Sequence, residues 1–212
     1  RLLMQRHQFA ADLGNAEIAR QALEELNTAA KNLPAASRGA EDWVALGRAA
    51  LAAGADAQKV IASYFQTARK KDPKAESAYL AEGWLALEKN DPARAADTFR
   101  AGLKNHGETP ALRHGLAAAF MSSDRAAAAE NITRALEINP SHAGALLLRA
   151  ELGIGAEKFL DAEADIQRVL ELDGEHPAAW ALRAAIFAIT TADARKFGDA
   201  RERGLARWPR NP

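Results

Sequence analysis

Cysteine is absent from the 212 residues of this chain. Its absence excludes disulfide bonds, thiolate metal sites and cysteine nucleophiles together, although it leaves the cellular compartment open. Long apolar runs are missing as well, since none reaches the roughly 18 residues that a membrane-spanning helix needs. We therefore expect no membrane insertion.

The chain also lacks an excess of charge of either sign. Lys and Arg together number 28, and Asp and Glu together number 28. A balanced charge supplies no basic field to hold a phosphate backbone, and no acidic excess of the kind found in disordered tails. The sequence therefore predicts that nucleic acid is not a partner.

A repeat of 34 residues is the dominant pattern, and it is clearest in residues 143–176. Counted from Ala143, small or aliphatic side chains fall at positions 4, 8, 20, 24 and 27, and a glycine that breaks the helix falls at position 32. These residues are Leu146, Ala150, Ala162, Ile166, Val169 and Gly174. A fixed period in this range, built of two helices, indicates a helical repeat array.

The same template fits the neighbouring segments and divides a single domain, residues 1–212, into six repeats. We place a two-residue insertion around residues 54–58 and a one-residue deletion near residues 122–124. The last repeat is degenerate, and no polar capping helix follows it. We therefore expect the chain to be a segment of a longer protein. The predicted repeats span residues 1–39 (degenerate), 40–75, 76–109, 110–142, 143–176 and 177–212 (degenerate).

The first repeat can be aligned in two registers, and both stay open. In one, its second helix carries Ala22, Leu26 and Ala29 ahead of Pro34. In the other, a break at residues 14–15 precedes a longer second helix, which carries Ala19, Leu23 and Leu26.

Ring-bearing and small side chains at the repeat positions carry a family resemblance. They are Trp43, Leu46 and Gly47, then Gly83, Ala95 and Phe99, then Ala128, Ile132, Ala135 and Pro140, then Ala162, Ile166 and Val169. Across nearly the whole chain the pattern resembles the tetratricopeptide repeat family, although Gly107 and Gly174 stand where proline is usual. The resemblance implies an all-α fold, a right-handed α-solenoid of about six tandem helix-turn-helix repeats.

The resemblance also implies a binding surface, because the first helices of such repeats line a concave groove that usually takes a peptide or a folded partner. Positions 2, 5, 9 and 12 of each first helix then face the groove. The candidate partner-binding residues are Val44, Arg48, Leu51, Leu80, Trp84, Leu87, His114, Met121, Leu147, Glu151 and Ile154.

Within that groove we expect an apolar or amphipathic segment, anchored on Trp84 and oriented by Arg48 and Glu151. The alternative is that Trp84 and the leucines pack against the next repeat or a missing domain. A family variant that grips a C-terminal carboxylate places Lys, Arg and Asn at positions 5 and 9. Position 9 here does not match it, since it reads Arg48, Trp84, Ala118, Glu151 and Ala185.

Catalysis and metal binding have little support in the sequence. His142 and His176 share one position in consecutive repeats. Stacked repeats lie roughly 10 Å apart, which is too far for both side chains to bind one zinc ion, so a turn role is favoured for both. His106 and His114 have no third ligand at a suitable spacing. Carboxylates alternate with Arg and Lys along helix faces, as solvated ion pairs do. We predict no enzyme activity, no metal and no cofactor.

The function predicted from the sequence is a protein-protein interaction scaffold for a peptide or partner protein. Two alternatives stay open: a non-catalytic arm that positions substrate for a larger enzyme, and a part of a bacterial envelope or export assembly. The Ala- and Arg-rich composition is typical of bacterial proteins, and the compartment, cytoplasmic or periplasmic, is left open. An apolar stripe of Phe197, Leu205 and Trp208 predicts possible homo-oligomers.

Overall fold

The fold is seen in a computed structural model of the whole chain. It describes residues 17, 18, 20, 21, 24, 25 and 28, residues 34–190 and residues 194–207, the last segment without the side chains at 194, 195, 197, 206 and 207. The predicted first repeat therefore lies mostly outside the described residues, as do Trp208 and the Phe197 side chain. The chain divides into two compact units, Arg1–Glu108 and Thr109–Pro212.

The described part of the first unit contains two complete helix pairs. Each long helix packs against its partner across a short loop, as a repeat of two helices requires. Their bounds are Ala40–Ala52 (α1), residues 57–71 (α2), Glu76–Glu88 (α3) and Pro92–Asn105 (α4).

Three helix pairs lie in the part of the second unit that the structure describes. Their bounds are Pro110–Phe120 (α5), Arg125–Ile138 (α6), Ala143–Gly155 (α7), Phe159–Leu172 (α8), Pro177–Thr190 (α9) and Ala194–Arg207 (α10). The first helices of the five pairs begin at Ala40, Glu76, Pro110, Ala143 and Pro177, the residues with which the predicted repeats two to six begin. The total of six repeats stays a prediction.

Side-chain caps determine where several helices begin. Asp56, Asp91 and Asp124 accept hydrogen bonds from the free backbone N–H groups of α2, α4 and α6, at 2.9 to 3.1 Å. Pro92 and Pro110 stand at the first helical position of α4 and α5, where a missing N–H costs nothing. Asp56, Asp91 and Asp124 thus mark the turn between the two helices of their pairs, and Pro110 marks the turn between two pairs.

The extra residues of the second repeat are split between two places. Its loop is one residue longer than that of the third repeat, and the middle turn of α2, Ile61–Phe65, is π-helical. A π turn absorbs one inserted residue within a helix. Phe65 accordingly follows the Asp56 cap by nine residues, whereas Phe99 follows the Asp91 cap by eight. The expectation that both extra residues lie around residues 54–58 is therefore wrong for one of them.

Inside each helix pair of the first unit, a glycine of one helix and a phenylalanine of the other form a tight contact between the two helices, here called the joint. Phe65 and Phe99 are fully buried, and each ring lies directly over a glycine of the partner helix. A Cβ added at Gly47 would stand 2.5 Å from the Phe65 ring, and one added at Gly83 would stand 2.4 Å from the Phe99 ring. Only a glycine lets the helices approach this closely.

Alanine and isoleucine stand at the corresponding places in the second unit. Ala117 and Ala150 occupy the positions of the two glycines, and Ile132 and Ile166 occupy those of the phenylalanines. All four belong to one buried cluster and are at most 1% exposed. The two units therefore fill the same joint with different pairs of side chains.

Every regular element in the described part of the chain is helical, so the fold is the all-α helical repeat that the sequence predicts. Among the described residues, none of the helices is both long enough and apolar enough to cross a membrane.

Candidate functional site

The first helices of the two complete pairs in the first unit line an open groove of about 990 Å³. Its apolar wall comes from α1 and α3, and its polar end comes from the start of these helices and the loop before α3. The polar, charged and larger apolar side chains that line it are Val44, Arg48, Leu51, Leu80, Trp84 and Glu88 along the helices, and Glu41, Asp72, Lys74, Glu76, Ser77 and His106 at the end.

Helical periodicity explains why these residues share one face. Glu41, Val44, Arg48 and Leu51 recur at intervals of three and four residues, the spacing that aligns side chains on an α-helix. Ser77, Leu80, Trp84 and Glu88 repeat the pattern on α3. Two parallel rows of side chains therefore bound the groove.

The Trp84 ring has a fixed support. It is half-buried and meets the fully buried Phe99 edge to face, with ring centroids 5.7 Å apart and planes at 68°. Edge-to-face packing is a favoured aromatic geometry. The Phe99 ring packs closely against Gly83, so one side of the Trp84 ring is supported by the core of its own repeat. The Trp84 ring also lines the groove.

Hydrogen bonds order the polar end of the groove. The Ser77 hydroxyl of α3 donates to Glu41 Oε1 of α1 at 2.5 Å, which ties the two helices together. The Lys74 N–H donates to Asp72 Oδ1 at 2.9 Å, and His106 Nδ1 lies 2.6 Å from the Lys74 carbonyl oxygen. Because a carbonyl only accepts, His106 Nδ1 carries the proton in this bond.

Five of the six candidate residues in the first unit come together in this groove. They are Val44, Arg48, Leu51, Leu80 and Trp84, of which Val44 is 3% exposed and belongs mainly to the core. Leu87, the sixth, is half-buried and is absent from the groove lining.

The five candidates of the second unit are held differently. Met121, Leu147 and Ile154 are half-buried and pack against the hydrophobic cluster of that unit, whereas Glu151 is exposed. The apolar members therefore contribute to packing within the second unit, and their part in a binding groove stays a prediction.

His114 is enclosed by other side chains. Its ring lies 5.1 Å from the ring of His142 and directly over Gly144, where an added Cβ would stand 2.4 Å from the imidazole. Burial, and then the neighbouring His142, lower the pKa of His114 to about 4. Burial also lowers the pKa of His142. At neutral pH both rings are therefore uncharged.

Histidines at the repeat boundaries have the turn role expected from their shared position. His142 Nδ1 accepts the Ala145 N–H at 3.1 Å, and His176 Nδ1 accepts the Ala179 N–H at 3.4 Å, so each caps the helix that follows. The proximity of His142 to His114 was not predicted. Within the described residues, no three His, Asp or Glu side chains are placed to share a metal ion.

Buried ion pairs form a second set of contacts that the sequence analysis did not single out. Glu82, 3% exposed, lies 3.2 Å from Arg69 and 3.4 Å from Arg94. In the second unit, Asp165 accepts two hydrogen bonds from Arg149 at 2.7 and 2.6 Å. Paired charges of this kind join neighbouring helices, and their carboxylates face away from solvent, so they are structural contacts.

The sequence analysis also missed the polar end of the groove. Glu41 stands at position 2 of its repeat, a groove position, while Asp72, Lys74 and His106 lie outside the first helices. A pattern confined to helix positions could identify Glu41 but not the loop residues. Their place depends on the turn between two repeats.

Comparison with solved structures identifies the fold. TTC0263, a thermophilic tetratricopeptide repeat protein of Thermus thermophilus, is 17% identical, with 82% of this chain and 93% of that one covered and a TM-score of 0.68. PilW, a type IV pilus biogenesis factor, is 16% identical over 100% of this chain and 96% of that one, with a TM-score of 0.66.

YrrB, a tetratricopeptide repeat protein with an unusual peptide-binding site, is 17% identical over 89% of this chain and 95% of that one, with a TM-score of 0.52. The chain has the tetratricopeptide repeat fold, and the resemblance seen in the sequence is confirmed at the level of the fold. No protein-family model matches the chain. No curated protein matches it either.

Proposed function

We propose that this chain is a non-catalytic scaffold that binds an apolar segment of a partner protein in the groove of its first unit. The observation that carries the proposal is the convergence of Val44, Arg48, Leu51, Leu80 and Trp84 on one open concavity. Repeat proteins of this fold are interaction scaffolds in general, and YrrB has a peptide-binding site.

The anchor of the bound segment is Trp84. Tryptophan dominates binding energies when it lies near the centre of an interface and its partner side chains exclude water. Here the ring is supported on one side by Phe99 and lines the groove on another. Leu51 and Leu80 add apolar surface beside it, and Arg48 supplies a charge at the edge.

The test uses selection and then affinity. A library of displayed 12-residue peptides is selected against the whole chain, and the enriched peptides are measured by fluorescence anisotropy against the wild type and three variants. Trp84→Ala removes the anchor and Arg48→Glu reverses the edge charge. Leu160→Ala is the control, because Leu160 is 88% exposed and belongs to α8 of the second unit.

We expect Trp84→Ala to weaken binding about thirty-fold, which corresponds to the roughly 2 kcal/mol of a typical hot spot. Arg48→Glu is expected to change binding without unfolding the chain, since Arg48 is exposed. Binding unchanged in both variants, or weakened equally by Leu160→Ala, would contradict the proposal. Circular dichroism of each variant separates lost binding from lost folding.

The other two functions expected from the sequence, an arm of a larger enzyme and a part of an envelope assembly, stay predictions. Each still needs a surface that binds another protein. The same groove would serve in both cases.

A further inference from the structure

The charges of the groove are unequally distributed between its two ends. Among the residues that line the groove, the end formed by the start of α1 and α3 carries three carboxylates, Glu41, Asp72 and Glu76, and one lysine, Lys74. The lining toward the other end carries one arginine, Arg48, and one carboxylate, Glu88. The groove therefore has one acidic end and one nearly neutral end.

The acidic end is maintained by local structure. Glu41 and Glu76 stand in the first turns of α1 and α3, at the positive end of each helix dipole. The Ser77 hydroxyl holds the Glu41 carboxylate between the two helices, and the Lys74 N–H holds Asp72. The Glu41 and Asp72 carboxylates therefore have defined positions.

Resting on the proposed function, the geometry points to a partner segment that carries a lysine or arginine at a set distance from an apolar anchor side chain. The basic side chain lies at the acidic end of the groove, and the anchor side chain lies against Trp84. Charge complementarity of this kind selects partners and orients them, beyond the affinity that apolar contact supplies.

The length of α3 gives the spacing between the two groups. Eight residues separate Glu76 from Trp84, which is about 12 Å along a helix that rises 1.5 Å per residue. An extended segment covers that distance in roughly three to four residues at about 3.3 Å each. A helical segment covers it in about eight residues. A basic residue at either spacing from an aromatic residue or leucine is thus the expected motif.

The experiment repeats the peptide selection with the charge of the acidic end reversed. The whole chain carrying Glu41→Lys together with Glu76→Lys is compared with the wild type and with a control, Glu137→Lys together with Glu171→Lys. Both control residues are exposed carboxylates on helices of the second unit. Thermal unfolding monitors the folding of each variant.

We expect wild type and control to enrich peptides with Lys or Arg at one of the two spacings. We expect the reversed variant to lose that preference and to bind wild-type peptides about ten-fold more weakly at low salt, with the difference shrinking above about 0.1 M salt. Equal enrichment of acidic peptides, or a basic preference that survives the reversal, would overturn the inference.

The outcomes separate this inference from the proposed function. If Trp84→Ala abolishes binding while the charge reversal changes nothing, the groove is the site and its acidic end plays no part. If Trp84→Ala changes nothing, the proposed function itself fails. A wild-type chain that sediments as a dimer, with the dimer lost in Trp84→Ala, would make a second copy the occupant and overturn the basic segment.

Discussion

The two units of the molecule build the same helix joint from different side chains. In the first unit a glycine receives a phenylalanine ring, as at Gly83 and Phe99, and in the first two pairs of the second unit a buried alanine and a buried isoleucine stand at the same repeat positions, as at Ala150 and Ile166. What is kept is the combined volume, because a larger residue on one helix accompanies a smaller one on the other. Close packing constrains the pair more than either member.

The difference has a consequence for the groove. Glycine inside a helix costs about 1 kcal/mol relative to alanine, so the first unit gives up helix stability at Gly47 and Gly83. The glycines leave room for buried aromatic rings, and one of these rings, Phe99, contacts the Trp84 ring edge to face. The joint that uses glycine is thus the one that positions the candidate anchor, whereas the joint that uses alanine only packs.

The largest expected effect is the loss of a joint ring. Phe99→Ala removes a fully buried side chain, and such truncations cost about 3–5 kcal/mol. Ile166→Ala, its counterpart in the second unit, is expected to cost about 2–5 kcal/mol. Urea unfolding measures both, and Phe99→Ala should also disturb the Trp84 fluorescence. A cost below about 1 kcal/mol for Phe99→Ala would contradict the joint.

The second-largest expected effect is that lowering the pH destabilises the second unit more than the first. His114 has a folded pKa of about 4 against an ordinary value of 6.5, so it stabilises the second unit fully above about pH 6.5. That contribution, about 3 kcal/mol in order of magnitude, is lost as the pH falls from 6.5 toward 4. Hydrogen exchange at about pH 7 and about pH 4.5 should show α5 and α7 losing protection more than α1 and α3.

The variant His114→Gln isolates this effect from the protonation of carboxylates. It removes the titrating group and should reduce the acid dependence of α5 and α7, while the acid dependence of α1 and α3 stays as in the wild type. Identical pH profiles in the variant and the wild type would show that His114 is not the source.

A smaller effect is expected from adding a side chain at Gly83, in the second joint of the first unit. Gly83→Ala places a methyl group 2.4 Å from the Phe99 ring, and overpacking of this kind costs about 1–3 kcal/mol. The double variant Gly83→Ala with Phe99→Ile reproduces the joint of the second unit. The double variant should recover most of the unfolding free energy lost in Gly83→Ala, as measured by urea unfolding. A double variant no more stable than Gly83→Ala would contradict the claim that the combined volume of the two side chains is what matters.

The smallest effect is expected at a turn. Gly107 has a φ of +113° and open space around its Cα, so Gly107→Ala is opposed by backbone strain alone. The expected cost is about 1 kcal/mol, with binding unchanged. A matched control is Gly198→Ala, whose Cβ would also meet nothing and whose helical backbone favours alanine. Equal stabilities of the two variants would contradict the strain.

Helix starts and joint positions could be predicted from the sequence because they depend on neighbouring residues and a fixed period. Asp91 with Pro92 signals a helix start, and Gly83 with Phe99 signals a joint, whatever surrounds them. The π turn at Ile61–Phe65 could not be placed, because an insertion in a loop and one within a helix leave the same count of residues.

The site was predictable only in part for a related reason. Trp84 and Leu80 share a helix face with one another, so periodicity brings them to the groove. Contacts that cross between repeats, such as the ring of His114 beside His142, depend on how a helix of one repeat packs against the start of the next. A repeat template also treats all units alike, and the groove positions that it assigns to Met121 and Leu147 of the second unit, both half-buried against the hydrophobic cluster, stay a prediction.

The most direct test of the groove is to map a selected peptide on the whole chain by amide chemical shifts in NMR. The account predicts that the largest shifts fall on α1 and α3, at Leu51, Leu80 and Trp84, and at Glu41 or Glu76 for a peptide with a basic residue. The largest shifts on α2 and α4, or on the helices of the second unit, would contradict it.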